Sequence, residues 1–181
     1  MFFVGSSFRR MLNTEVKRFP WHYYVRLVYN DALTYNPATG TGGVKASWKF
    51  RQFARSPQNM DLQAYAIRLV EMKNNEELPF DKLSYSDYAV AAAFTTITAA
   101  QGPVMLDQFF YGRKDALLES ECGPVPLTLP KGGDFVSHLQ SLNFSEEEIV
   151  ALASIDAFGV IEDPEHSRWS NFAKLDNYYY K

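Results

Sequence analysis

The stretch Ser84 to Gln101 (SYSDYAVAAAFTTITAAQ) constrains the fold of this chain more than any other. It opens on Ser84-Tyr85-Ser86-Asp87, a capping-box pattern in which the Ser84 hydroxyl accepts from the Asp87 amide and the Asp87 carboxylate reaches back. Gly102-Pro103 supplies the stop. The residues between are mostly small, so neighbouring elements can approach the axis of such a helix closely. The candidate apolar run, Tyr88 to Ala100, is too short for the ~20 residues a spanning helix needs, so the chain is not itself transmembrane.

Other helical signals surround this one. Pro20 can open a helix as its first residue, and Trp21, Tyr24, Val25 and Val28 fall at i, i+3, i+4 and i+7 within Trp21 to Leu33. Asn36 to Gly43 (NPATGTGG) is a loop, and Ser47 to Gln58 is mixed, with Pro57 as punctuation. A helix is expected over Met60 to Lys73, with Leu62, Tyr65, Ala66, Leu69 and Met72 on one side. A break follows at Asn74 to Pro79. Phe109 to Gly133 reads as a connection with a small hairpin, and Asp134 to Leu142 as a short helix. Ser145-Glu146-Glu147-Glu148 is a second capped start, giving a buried helix over Ile149 to Phe158 with Gly159 as its C′ residue. The expected fold class is all-α.

Several function classes are excluded at this level. The lone Cys122 cannot form an internal disulfide, and with three scattered histidines it makes no Cys/His metal cluster. The net charge of -3 comes without a basic stripe, so nucleic acid is not an expected partner. Met1 to Asn13 (MFFVGSSFRRMLN) carries two arginines, two serines and large apolar residues, and no acid precedes Glu15. That is the composition of a mitochondrial import segment. The expected organisation is an arm over 1–18, import-signal-like, and one domain over 19–181.

Arg26-Leu27-Val28-Tyr29-Asn30-Asp31-Ala32-Leu33-Thr34-Tyr35, followed by Thr41-Gly42-Gly43 and Ser47, resembles the distal helix and following loop of class I, ascorbate-peroxidase-like haem peroxidases, whose helix reads R-L-A-W-H-D-A-G-T-Y. Leu83 to Asp87 is similar to the family's I-S-Y-A-D, Gln101-Gly102-Pro103 to its G-G-P, and Gly112-Arg113-Lys114-Asp115 to its G-R-K-D. Leu142 to Leu152 resembles its proximal helix, and Trp169 with Asp176-Asn177-Tyr178-Tyr179 its W…F-D-N-x-Y-F. The resemblance runs from Phe19 to Tyr180 and implies a haem-peroxidase-like helical domain, shortened at its C-terminus.

The departures bear on chemistry. By position the family's distal histidine falls on Asn30, its distal tryptophan on Tyr29 and its iron-ligating histidine on Asp156. A distal base must take a proton from hydrogen peroxide and return it, which requires a pKa near the working pH. A carboxamide has none. Arg26, one turn before Asn30, keeps the role of stabilising charge on the departing oxygen. Asp156 offers no imidazole to iron, although a carboxylate can ligate the ferric ion. Trp169 is expected to be a core aromatic, and His22, His138 and His166 surface or structural residues. Asp31 and Gly112 to Asp115 are expected to bond loops to helices.

These readings lead to an expectation of no catalysis, with Arg26, Tyr29, Asn30, Asp156 and Trp169 vestigial and haem absent. The chain is expected to be an accessory subunit of a larger assembly, mitochondrial and of the respiratory chain, and associated with the inner membrane through partners. Contacts are expected through the arm, the uncovered proximal side and Tyr178, Tyr179 and Tyr180. The alternatives are a haem- or small-ligand-binding module in the old cavity, unless Tyr29, Phe94 and Phe158 fill it, and a residual haem peroxidase using hydrogen peroxide through His22 or Asp156.

Overall fold

A computed structural model describes residues 22–74, 82–99, 102–105, 109–123 and 133–153. Helices account for the described elements: α1 (His22–Ala32), α2 (Arg51–Arg55), α3 (Gln63–Lys73), α4 (Tyr85–Ala99), α5 (Gly133–Ser141) and α6 (Glu146–Ala153), with 3-10 turns at Ser47–Lys49, Pro57–Leu62 and Glu119–Glu121. The all-α expectation is met. Among the described residues the pairing outside helices is a single antiparallel bridge, Asn36 to Thr41, and 109–123 forms no hairpin. The arm over 1–18, Trp21, Phe158, Gly159, His166 and Tyr178 to Tyr180 lie outside the described residues.

Helix α4 is the centre. Tyr88, Ala89, Val90, Ala91, Ala92, Ala93, Thr95 and Thr96 are all buried, so its first three turns are enclosed on every side. Its alanines let α1 lie close against it, and among the described elements α1 packs on α4 more extensively than any other pair. The two buried threonines bond within the helix, Thr95 Oγ1 donating to the Ala91 carbonyl at 2.8 Å and Thr96 Oγ1 to that of Ala93 at 2.7 Å. Their hydroxyls therefore need no outside partner. The main core joins Tyr24 and Leu27 of α1, Trp48, Phe53 and Leu62, and Ala66, Leu69 and Met72 of α3 around this axis. A smaller cluster of Leu33, Leu139 and Ile149 ties α5 and α6 to the end of α1.

The N-terminus of α4 differs from the sequence expectation in one respect. Ser84 Oγ accepts from the Asp87 N–H at 3.0 Å as expected, but the Asp87 carboxylate does not reach back. It accepts instead from the Gly112 N–H at 2.6 Å and the Arg113 guanidinium at 2.9 Å. Asp115 takes over the capping, accepting from the N–H groups of Tyr85 and Ser86 at 2.9 and 2.8 Å and from the Ser86 hydroxyl at 2.7 Å. The segment Gly112 to Asp115 is thus bolted to the helix by two carboxylates, as expected of loop-to-helix bonding positions. At Ser145 the capping box is complete in both directions.

Gly42 explains the Thr41-Gly42-Gly43 turn after α1. Its φ of 74° is left-handed, and a Cβ there would collide with the Thr34 carbonyl.

Partial burial raises the Asp115 pKa, but the bonds from Ser86 and Tyr85 and the charge of Lys49 outweigh it and hold the carboxyl below its ordinary 3.8. A depressed value means the stabilisation is present above pH 3.8 and disappears as pH falls through the folded-state value. Asp115→Ala is expected to cost about 1–2 kcal/mol at pH 7 by urea denaturation, in the range of a lost cap, and the difference should shrink towards pH 2.

Candidate functional site

The sequence places Arg26, Tyr29 and Asn30 within two turns of α1, and the structure shows what each touches. The buried face of this helix is rotated from the apolar pattern. Tyr24, Leu27, Asn30 and Asp31 are buried, whereas Val25 and Val28 are partly exposed. Two polar residues sit inside because each has a partner there, which an apolar period cannot register.

Asn30 is 4% exposed and donates through Nδ2 to Asn59 Oδ1 at 2.7 Å. Asn59, itself 1% exposed, donates in turn to the Phe53 carbonyl at 3.1 Å. This chain of amides fixes which end of each carboxamide is donor, and leaves Asn30 Oδ1 as an acceptor. One turn earlier, Arg26 bonds Asp61 at 2.7 Å and its guanidinium lies 5.6 Å from the centre of the Tyr23 ring. The Arg26 and Asp61 side chains are 27% and 46% exposed, so the pair is worth about 0–1 kcal/mol. Both partners belong to the Pro57–Leu62 turn.

Sequence reasoning missed Asn59 and Asp61. It began the second helix at Met60 and ranked apolar residues as interior, whereas Met60 is 66% exposed. The available signal was that an interior Asn30 requires a polar partner, and Gln58, Asn59 and Asp61 follow Pro57.

Tyr29 packs against the cluster of Leu33, Leu139 and Ile149, and Phe94 meets Phe109 edge-on at 6.2 Å. His138 lies in the last turn of α5, half-buried, its Nε2 enclosed without a hydrogen-bond partner. His22 begins α1, but its side chain lies outside the description, as do Asp156 and Trp169. Among the described residues no three His, Cys, Asp or Glu side chains gather into a metal site. Nor is any described helix long and apolar enough to cross a membrane.

Arg26 and Asn30 thus offer a positive charge and a hydrogen-bonding amide one turn apart on α1. They do not supply a group that titrates. Asp31 does titrate, but faces elsewhere: its Oδ1 accepts from the Ser47 N–H at 3.2 Å.

Burial pushes the Asp31 carboxyl up to about 6 against the opposing bonds from Ser47. Because the folded state holds the proton more tightly, stability is greatest below pH 4 as far as this group is concerned, and is lost as pH rises to 6. The loss amounts to about 3 kcal/mol. Asp31→Asn is expected to flatten the stability profile between pH 4 and 6.5, read by denaturation at each pH.

The family model described as Peroxidase matches residues 4–181. Among similar proteins, "Probable L-ascorbate peroxidase 3, peroxisomal" of Oryza sativa subsp. japonica is 27% identical over 161 residues, covering 86% of this chain and 53% of the relative. "Putative cytochrome c peroxidase, mitochondrial" of Yarrowia lipolytica is 29% identical over 140 residues, 75% and 47% of the two chains. "Putative heme-binding peroxidase" of Aspergillus fumigatus is 30% identical over 141 residues, 75% and 42%. The chain spans about half the length of the curated relatives it matches. These names correct two expectations. The relatives are named as peroxidases and one as heme-binding, which points to an enzyme where no enzyme was expected and gives no ground for an absent haem. The substitutions at Asn30 and Asp156 change individual groups within a family match that extends over nearly the whole chain.

Proposed function

The chain belongs to the peroxidase family, and from that premise we propose that it is a haem-dependent peroxidase of low turnover acting on hydrogen peroxide. The observation that carries this reading is that Arg26 and Asn30, one turn apart on α1, are each bonded to the Pro57–Leu62 turn. Haem, when bound, supplies the iron at which the O–O bond is broken. Asn30 Oδ1 accepts a hydrogen bond from the peroxide O–H and so orients it, and Arg26 offers a positive charge to the departing oxygen. Asp156, at the position of the family's iron-ligating histidine, is the residue that would hold the iron. Proton transfer falls to solvent, because an amide has no pKa in range, and this makes the reaction slow.

Recombinant protein is expected to take up hemin with a shifted Soret band and to turn over peroxide slowly. Asn30→His is expected to raise the rate with peroxide by about 10²–10⁴-fold, the value of a positioned acid–base group. No Soret change, or no gain from Asn30→His, would contradict the proposal.

A second reading concerns setting. Phe110, Tyr111, Leu117 and Leu118 are 81%, 69%, 82% and 62% exposed, on the segment held rigidly by Asp87 and Asp115. So many large apolar side chains in one exposed segment favour a protein partner. We propose that the domain serves as a subunit of a mitochondrial assembly, of the respiratory chain. A mitochondrial relative and the import-like composition of the arm support the location, while other relatives are named peroxisomal. Purification from mitochondria in mild detergent is expected to bring respiratory-chain subunits with it. Phe110→Ser with Leu117→Ser is expected to lose them, and recovery of the chain alone would count against this setting.

A further inference from the structure

A groove of about 700 Å³ lies between the 47–55 stretch, α3 and the start of α4, within the roughly 300–1,000 Å³ usual for small-molecule sites. None of Arg26, Tyr29 and Asn30 lines it, so it is separate from the peroxide site. Its walls combine two chemistries. Trp48, Phe50 and Tyr85 present aromatic surface, and Ala66, Ile67 and Val70 of α3 add aliphatic surface. Lys49, Arg51 and Arg55 supply three positive charges, and no carboxylate lines the groove.

The cations are not equally committed. Lys49 Nζ lies 3.6 Å from Asp115 and 4.6 Å from the centre of the Tyr85 ring. Arg51 and Arg55 are exposed, and among the described residues neither forms an ion pair. Two guanidinium groups at the mouth of an aromatic groove raise the local concentration of anions. Trp48 itself is buried, and its indole Nε1–H is enclosed without a hydrogen-bond partner. Buried indoles ordinarily find one.

We propose that this groove binds a small amphipathic organic anion, with a carboxylate, sulfonate or phosphate at Arg51 and Arg55 and an apolar body against Trp48, Phe50 and Ile67. The charge selects an anion, and the aromatic walls select one with a ring or chain over an inorganic ion. The site needs no haem and makes no use of the peroxide-binding residues.

The probe is 8-anilino-1-naphthalenesulfonate, titrated by fluorescence into the haem-free protein, with the neutral N-phenyl-1-naphthylamine in parallel. Saturable single-site binding of the sulfonate is expected. Arg51→Gln with Arg55→Gln should weaken it about tenfold while leaving the neutral probe unchanged, and both residues are exposed, so the fold should tolerate the change. Ile67→Asp, at a position 53% exposed, should weaken both probes. The Trp48 indole resonance, assigned with Trp48→Phe, should shift on adding the sulfonate. Equal sulfonate affinity in the double arginine variant, or an unmoved Trp48 resonance, overturns the proposal. So does binding confined to anionic phospholipid vesicles or to a polyglutamate peptide, since either makes the groove a macromolecular contact. Because haem is absent throughout, a failure here leaves the peroxidase reading untouched, and a failure of hemin uptake leaves this one untouched.

Discussion

The amide bridge from Asn30 to Asn59 is the contact on which the site depends. A carboxamide enclosed in the core without a partner costs several kcal/mol, so the position of Asn30 is tenable only if another polar group comes to it. Asn59 does so, and is itself committed to the Phe53 carbonyl. Helix α1 and the Pro57–Leu62 turn are thereby locked in one register. Asp31, the next residue, reaches the Ser47 backbone, and Arg26 reaches Asp61. Three polar side chains of a single helix thus bind three different places in the 47–61 stretch. This face of α1 is held by polar pegs, with the apolar core behind it supplying most of the burial energy.

The same device operates at the first turn of the central helix. Asp87 and Asp115 hold the 112–115 strap against the first turn of α4, so a segment with little apolar burial of its own is nevertheless fixed. The strap in turn carries the exposed Phe110 and Tyr111, and Ala116 donates to the Lys45 carbonyl at 2.8 Å. Positioning of the aromatic surface and capping of the core helix are one structural event.

Much of the architecture was legible because it rests on local signals. The α4 start at Ser84, its stop at Gly102-Pro103, the capped start at Ser145 and the apolar side Leu62, Ala66, Leu69 and Met72 are each written in neighbouring residues. What escaped was relational. Nothing local distinguishes an Asp87 that closes its own box from one that binds Gly112 and Arg113, because the competing donors lie 25 and 26 residues away. Asn59 escaped for the same reason, its partner being 29 residues distant. Loss of a titrating group at residue 30 was plain in the sequence. The inference from the departures at Asn30 and Asp156 to an absence of enzyme and haem went further than those two substitutions allow, given relatives named as peroxidases and a family match over residues 4–181.

Arg26 and Asn30 are proposed to form together the distal wall of a haem site. A crystal structure of the hemin-loaded protein measures this directly. The porphyrin is predicted to lie against α1 with Arg26 and Asn30 on one and the same side of its plane, and with the Asn30 to Asn59 bond intact. A porphyrin bound at any other surface, or none bound at all, contradicts the account.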